Sequence, residues 1–238
     1  MSAGRNGNGT VGARGADGRG REVLLDATRE QRIGFGEAVL AGTKTVEQLV
    51  EVLDQADERG LALLLTRLER TQFDGLPDRL RARLDYEMRS HTAFFGAAAD
   101  SRGPAQVAVV TAGTSDAPAA REALRTLAFH GLEAVEICDV GVAGLWRLQQ
   151  RIEELAALPV VIAVAGMDAA LPTVLAGLVP GLVIAVPTSV GYGVAEGGKT
   201  ALHSLLASCA PGLVTVNIDN GYGAACAAMR ALSAHGNA

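Results

Sequence analysis

Five short stretches carry most of the chemistry this sequence could do. They are Ala112-Gly113-Thr114-Ser115-Asp116, Asp139-Val140-Gly141-Val142-Ala143-Gly144, Gly166-Met167-Asp168, Pro187-Thr188-Ser189-Val190-Gly191-Tyr192-Gly193 and Asp219-Asn220-Gly221-Tyr222-Gly223. Each follows an apolar run and mixes glycine with small or polar side chains, as a backbone that approaches an anionic ligand does. In the first, Gly113 lets the main chain come near an oxyanion, and the residues after it present free N–H groups, with the hydroxyls of Thr114 and Ser115 as further donors. That is phosphate chemistry; the alternative is that Ser115 or Asp116 only caps a helix. Asp168 has two readings as well, a carboxylate reaching a ligand or an N-cap for the residues from 169 onward. The glycines at 191, 193, 197 and 198 fit ligand contact, a mobile lid or an ordinary surface turn. Cys209, in Leu-Ala-Ser-Cys-Ala-Pro-Gly, needs a local positive field to become a thiolate, and the sequence shows none. On the residues alone it reads as a buried structural cysteine, and Cys138 and Cys226 read as core. Trp146 lies on a helical pattern and reads as packing.

The elements that position these loops follow from periodicity. Apolar runs at 106–111, 133–138, 160–165, 182–186 and 213–218 are strands, and helical patterns at 116–130, 143–155, 169–178, 199–209 and 220–232 separate them. Strands apolar on both faces that alternate with helices give an α/β fold with a doubly wound parallel sheet and right-handed crossovers. Ligands in such sheets sit beyond the carboxyl ends of the strands, where the five loops fall. Upstream, residues 22–100 form a smaller α/β unit. Val46, Leu49, Val50, Leu53 and Ala56 have helical spacing, with Gly60 as C-cap; 61–68 contains a short strand, and 78–89 reads as helical. Ser-Arg-Gly-Pro at 101–104 is a linker to the larger unit at 105–238, and the glycine-rich first 21 residues read as a disordered tail.

Composition excludes several classes. The 238 residues carry a formal net charge of −5 and no basic cluster in the folded part, which argues against a nucleic-acid partner. Apolar runs near 158–165 and 178–187 are too short for membrane spans. Three cysteines without a C-x-x-C spacing give neither a disulfide framework nor a zinc site, and free thiols fit a cytoplasmic protein. The amino terminus lacks the apolar run of a signal peptide. No metal-ligand cluster is visible and no tightly bound cofactor is expected; a metal, where one takes part, is Mg²⁺ carried on substrate phosphates.

The loops in order, Val-Thr-Ala-Gly-Thr-Ser-Asp (110–116), Asp-Val-Gly-Val-Ala-Gly (139–144), Val-Ala-Gly-Met-Asp (164–168), Pro-Thr-Ser-Val-Gly-Tyr-Gly (187–193) and Ser-Cys-Ala-Pro-Gly (208–212) running into Val-Asn-Ile-Asp-Asn-Gly-Tyr-Gly (216–223), resemble the LarB family. Its members are pyridinium-3,5-biscarboxylic acid mononucleotide synthases of nickel-pincer cofactor biosynthesis, and their carboxyl-terminal domain is similar to the aminoimidazole ribonucleotide mutase PurE. Leu-Asp-Ala-Thr-Arg-Glu-Gln-Arg-Ile-Gly-Phe-Gly-Glu (25–37) matches the family's amino-terminal segment more weakly.

The resemblance implies carboxylation of the pyridinium ring of nicotinic acid adenine dinucleotide by carbon dioxide or bicarbonate, with hydrolysis of the phosphoanhydride and release of AMP. A thiolate adds to the electron-poor ring, the resulting enamine carbon takes carbon dioxide, and loss of a proton and of the thiolate restores aromaticity. By the resemblance the nucleophile is Cys209, Asp168 transfers the proton and Asp26 borders the site. Gly113, Thr114, Ser115 and Asp116 then hold phosphate and ribose, and Gly166, Met167, Ser189, Gly191, Tyr192, Gly193, Asn217, Asp219 and Asn220 line the substrate. A homo-oligomer, an octamer by analogy with the mutases, is implied. The sequence departs from the family at Trp146 (usually His), Gly36 (usually Pro) and Asp168 (usually Glu). These departures bear on which nucleotide is bound. A related carboxylase or mutase with another pyridinium or imidazole nucleotide, or a non-catalytic nucleotide-binding module, are the alternatives.

Overall fold

In the computed structural model, residues 24–26 and 28–236 are described, so the tail expected at 1–21 lies outside the described residues. The smaller unit runs α1 (Arg29–Ile33), β1 (Ala38–Leu40), α2 (Val46–Glu58), β2 (Leu63–Thr66), α3 (Arg70–Gly75), α4 (Asp78–Arg81), β3 (Leu84–Glu87) and β4 (Thr92–Phe95). Its four strands form a mixed sheet in the order β1-β2-β4-β3. α2 begins at Thr45, whose hydroxyl accepts from Gln48 N–H in a capping box, and buries Leu49, Val52, Leu53 and Ala56 against the sheet. Residues 78–89 are not one helix: the helix ends at Arg81 and Leu84-Asp85-Tyr86-Glu87 pairs with β4. The alternation of apolar and charged residues over those four positions suits a strand with one face covered.

The second unit contains β5 (Val107–Thr111), α5 (Ala117–Phe129), β6 (Ala134–Ile137), α6 (Leu145–Gln149), α7 (Ile152–Ala156), β7 (Val160–Ala165), α8 (Ala170–Ala176), β8 (Leu182–Pro187), α9 (Lys199–Leu206), β9 (Val214–Thr215) and α10 (Gly221–Gly236). The five strands are all parallel, in the order β6-β5-β7-β8-β9. Every residue of β5 and β7 is buried. Val107 and Val109 face a core shared with α5 and α10, and Ala108 and Val110 face one shared with α6–α9. The sheet is thus covered on both faces, as its uninterrupted apolar strands require. The order reverses at β5, which opens a crevice beyond the carboxyl ends of β5 and β7.

Two elements differ from the periodicity. The helix expected over 143–155 is split, because Arg151 N–H returns to the Leu148 carbonyl and tightens the chain there. The fifth strand shrinks to two residues. It is an edge strand with one neighbour, and beyond Thr215 it turns toward the rim, where Asp219 N–H donates to the Pro187 carbonyl at 2.9 Å.

The small unit docks on α5. Arg125 donates to Thr92 Oγ1 and to the Asp85 carbonyl, both at 2.7 Å, and lies 4.0 Å over the Phe94 ring. Phe94 in turn packs on Phe129, with ring centroids 5.1 Å apart. No helix among the described residues is long and apolar enough to cross a membrane.

Candidate active site

Docking on α5 closes the crevice into a cavity of about 440 Å³. One wall is the carboxyl rim of the large sheet, with Ser115, Asp116, Thr188, Ser189, Val190 and Asp219; α5 supplies Pro118, Ala119 and Glu122. The opposite wall, Arg67, Glu69, Ser90 and His91, belongs to the small unit.

Asp116 organises the rim. Its carboxylate is buried and accepts from Gly113 N–H at 2.9 Å and from Thr188 Oγ1 at 2.7 Å, so it ties the 113–116 loop to the end of β8. Burial pushes its pKa up, against the hydrogen bonds that pull it down. Asp116 is therefore an internal brace, while the exposed Thr114 and Ser115 stand at the start of the 13-residue α5. Asp219 holds a second brace: its Oδ1 accepts from Ser189 N–H at 2.8 Å and its carbonyl accepts from Arg67 at 3.3 Å. Asn220 Oδ1 accepts from Gly223 N–H at 2.8 Å and so caps α10, while Asn217 accepts from Ile218 N–H. Gly166 permits the close packing of two rim loops: a Cβ there would lie 2.2 Å from the Val190 carbonyl oxygen.

Met167 and Asp139, two residues beyond β7 and β6, and Asp219, four beyond β9, have φ between 55° and 58°. Non-glycine residues held in this region cluster at functional sites, where the surrounding structure sustains the strain. Ala169 is also left-handed and is itself the N-cap of α8, without a side-chain cap bond. Asp168 thus does not cap that helix; it is exposed at the rim.

The structure does not bring every expected residue to this cavity. Cys209 is exposed, on the connection from α9 to β9. The residue before it, Ser208, shares a hydrogen bond of 2.9 Å with Thr173 of α8. Asp168 leads into α8. Both belong to the helix layer of α8 and α9, and neither lines the cavity. Tyr192 and Gly193 form an exposed lobe before α9, with Tyr192 77% exposed, and the half-buried Gly191 packs against Ala195. Asp26 lines a separate cavity of about 300 Å³ with Glu37 and His130, where the Arg32 guanidinium holds its carboxyl down to about 2. Three expectations for packing residues are corrected. Cys209 is exposed rather than a buried structural cysteine, Cys138 is exposed at the end of β6 rather than core, and Trp146 is 62% exposed, because α6 turns Leu148 and not the indole toward the sheet.

Sequence reasoning missed Arg67, His91 and Glu122. Glu122 is buried in the second turn of α5, accepts from Tyr222 N–H at 3.1 Å and has its pKa pushed up by burial. Among the described residues no group of three or more His, Cys, Asp or Glu side chains is placed to hold a metal ion.

Comparison with known proteins accounts for this arrangement. A family model for AIR carboxylase matches residues 106–238, and one for the LarB/PurE-like N-terminal domain matches residues 21–96. The chain belongs to the LarB family. Its large sheet is the PurE-like domain and its small sheet the LarB-type amino-terminal domain. An uncharacterized protein of Methanocaldococcus jannaschii is 35% identical over 214 residues, 85% of this chain and 80% of its own length. The LarB-family chain is thus related to carboxylase and mutase enzymes.

Proposed function

We propose that this LarB-family chain carboxylates the pyridinium ring of nicotinic acid adenine dinucleotide and hydrolyses its phosphoanhydride, giving pyridinium-3,5-biscarboxylic acid mononucleotide and AMP. The observation that carries the reading is the cavity at the carboxyl edge of β5, closed by the LarB-type domain. It offers the positive end of the α5 dipole and the Ser115 hydroxyl to a phosphate, and the Arg67 cation opposite them. A volume of about 440 Å³ is within the range of small-molecule sites. A divalent cation in this scheme arrives on the substrate's phosphates.

In the ring chemistry Cys209 is the nucleophile and Asp168 takes the ring proton. Exposure leaves both open to a ligand: Asp168 stands at the rim of its own sheet, and Cys209, on the connection that enters β9 at its amino end, is free to reach a ligand held at the rim of a neighbouring subunit. The layer that carries them also exposes Leu145, Trp146, Leu178, Leu206 and the edge residue Val214, an apolar surface suited to a homo-oligomer. In that assembly the thiol works at a subunit boundary. Trp146, exposed on this face and outside the cavity, meets a neighbouring subunit or the part of the ligand held there.

Intact-protein mass spectrometry after mixing with the dinucleotide tests the thiol directly. The native chain gains the mass of the dinucleotide or mononucleotide, and Cys209→Ala gains none. A persistent adduct on Cys209→Ala, or none on the native chain at any time point, removes the covalent step.

A further inference from the structure

The wall of the cavity opposite the phosphate loop holds groups that the ring chemistry does not use. Arg67 and His91 are both non-glycine residues in the left-handed region, with φ of 53° and 52°. They follow β2 and precede β4, and Leu68 N–H donating to the His91 carbonyl at 2.7 Å keeps the two turns together. His91 Nδ1 lies 3.2 Å from Glu69 Oε2, a contact not aligned as a hydrogen bond. Such contacts in a ligand-free site tighten when substrate is bound. A carboxylate at Nδ1 fixes the imidazole tautomer and leaves Nε2 as the basic nitrogen.

We propose that Glu69, His91 and Arg67 are the hydrolytic centre of this enzyme, acting on the phosphoanhydride of the dinucleotide; this rests on the function proposed above. His91 Nε2 takes one proton from a water molecule whose oxygen bonds to one phosphorus of the anhydride. The bond from that phosphorus to the bridging oxygen breaks, and the oxygen leaves with its electron pair on the second phosphate. The other water proton stays on the new phosphate, and the proton on His91 passes to solvent. Nothing is oxidised or reduced. Arg67 carries the charge that develops on the phosphate oxygens, and Glu69 is a positioning residue. The division of labour follows the fold: the 106–238 domain supplies the phosphate cradle and the ring chemistry, and the amino-terminal domain supplies the hydrolytic wall.

The test is the full chain with nicotinic acid adenine dinucleotide and ¹⁴C-bicarbonate, following AMP and labelled nucleotides separately. His91→Gln is expected to release AMP about 100-fold more slowly, the lower end of general-base effects, while label accumulates in an intact, carboxylated dinucleotide. Glu69→Gln is expected to lower kcat for AMP release about tenfold with KM unchanged and to move the acid limb of its pH profile. AMP release by His91→Gln within about threefold of the native rate overturns the proposal, as does an equal loss of both activities in either folded variant. A native chain that neither incorporates label nor releases AMP defeats the function itself, and this inference with it.

Discussion

Removing the Asp116 carboxylate should loosen the rim of the site measurably. Two hydrogen bonds, from Gly113 N–H and the Thr188 hydroxyl, converge on this buried side chain. Hydrogen bonds to charged groups contribute about 1.5–3 kcal/mol each, so Asp116→Ala forfeits about 3–6 kcal/mol of gross interaction. Burial, which raises the carboxyl's pKa, shows that desolvation offsets part of this, and we expect a net loss of about 3 kcal/mol. For a chain of this size that is a fall in melting temperature of roughly 6–12 °C, read by scanning calorimetry. Asp116→Asn keeps an acceptor for Gly113, and the Thr188 hydroxyl can turn to accept from the amide, so it should cost about 1 kcal/mol. An Asp116→Ala protein melting within about 2 °C of the native chain would refute the reasoning, because the brace would then carry no net energy.

Other expectations concern the packing behind the site. His130 is buried between Phe35 and Phe129, and burial, helped by Arg102, lowers its pKa from 6.5 to about 4. The unfolded chain therefore binds the extra proton first: the stability is present above pH 6.5 and is lost as pH falls toward about 4, by about 3 kcal/mol in all. Urea midpoints between pH 7 and 4 should show this loss, and His130→Phe should remove it; an equal loss in the variant would exclude the histidine as its source. Gly221→Ala places a Cβ 2.1 Å from the Ala119 carbonyl oxygen, where α10 meets α5. It should cost at least about 2 kcal/mol by denaturation and slow turnover, because α5 begins at the phosphate loop. Unchanged stability in Gly221→Ala would mean that the helices can part without cost.

The large sheet was legible because β5, β7 and β8 are short runs apolar on both faces that alternate with helical patterns, as covered parallel strands do. Of the small sheet only β2 was, because β1 and β3 are three and four residues long and β3 follows directly on the charged helix at 78–81, too short for its alternation to stand apart. Within the site, the polar residues that follow each apolar run marked the rim, and the same rule applied to β2 points to Arg67. His91 had no such signal: it sits in a hairpin turn that reaches the cavity because Arg125 and Phe94 fasten that hairpin to α5. Glu122 could have been found as the acidic residue on the alanine-lined buried face of α5. Chain topology, not residue type, determines that Cys209 and Asp168 share the α8–α9 layer while Asp116 and Glu122 line the cavity.

The central claim is that this chain adds a carboxyl group to a pyridinium nucleotide through the Cys209 thiol. Incubation with nicotinic acid adenine dinucleotide and ¹³C-bicarbonate, with products resolved by mass spectrometry, tests it most directly. The native chain should give AMP and a biscarboxylated mononucleotide carrying one ¹³C, and Cys209→Ala should give no labelled nucleotide. Labelled product from Cys209→Ala at the native rate, or none from the native chain, would contradict the claim.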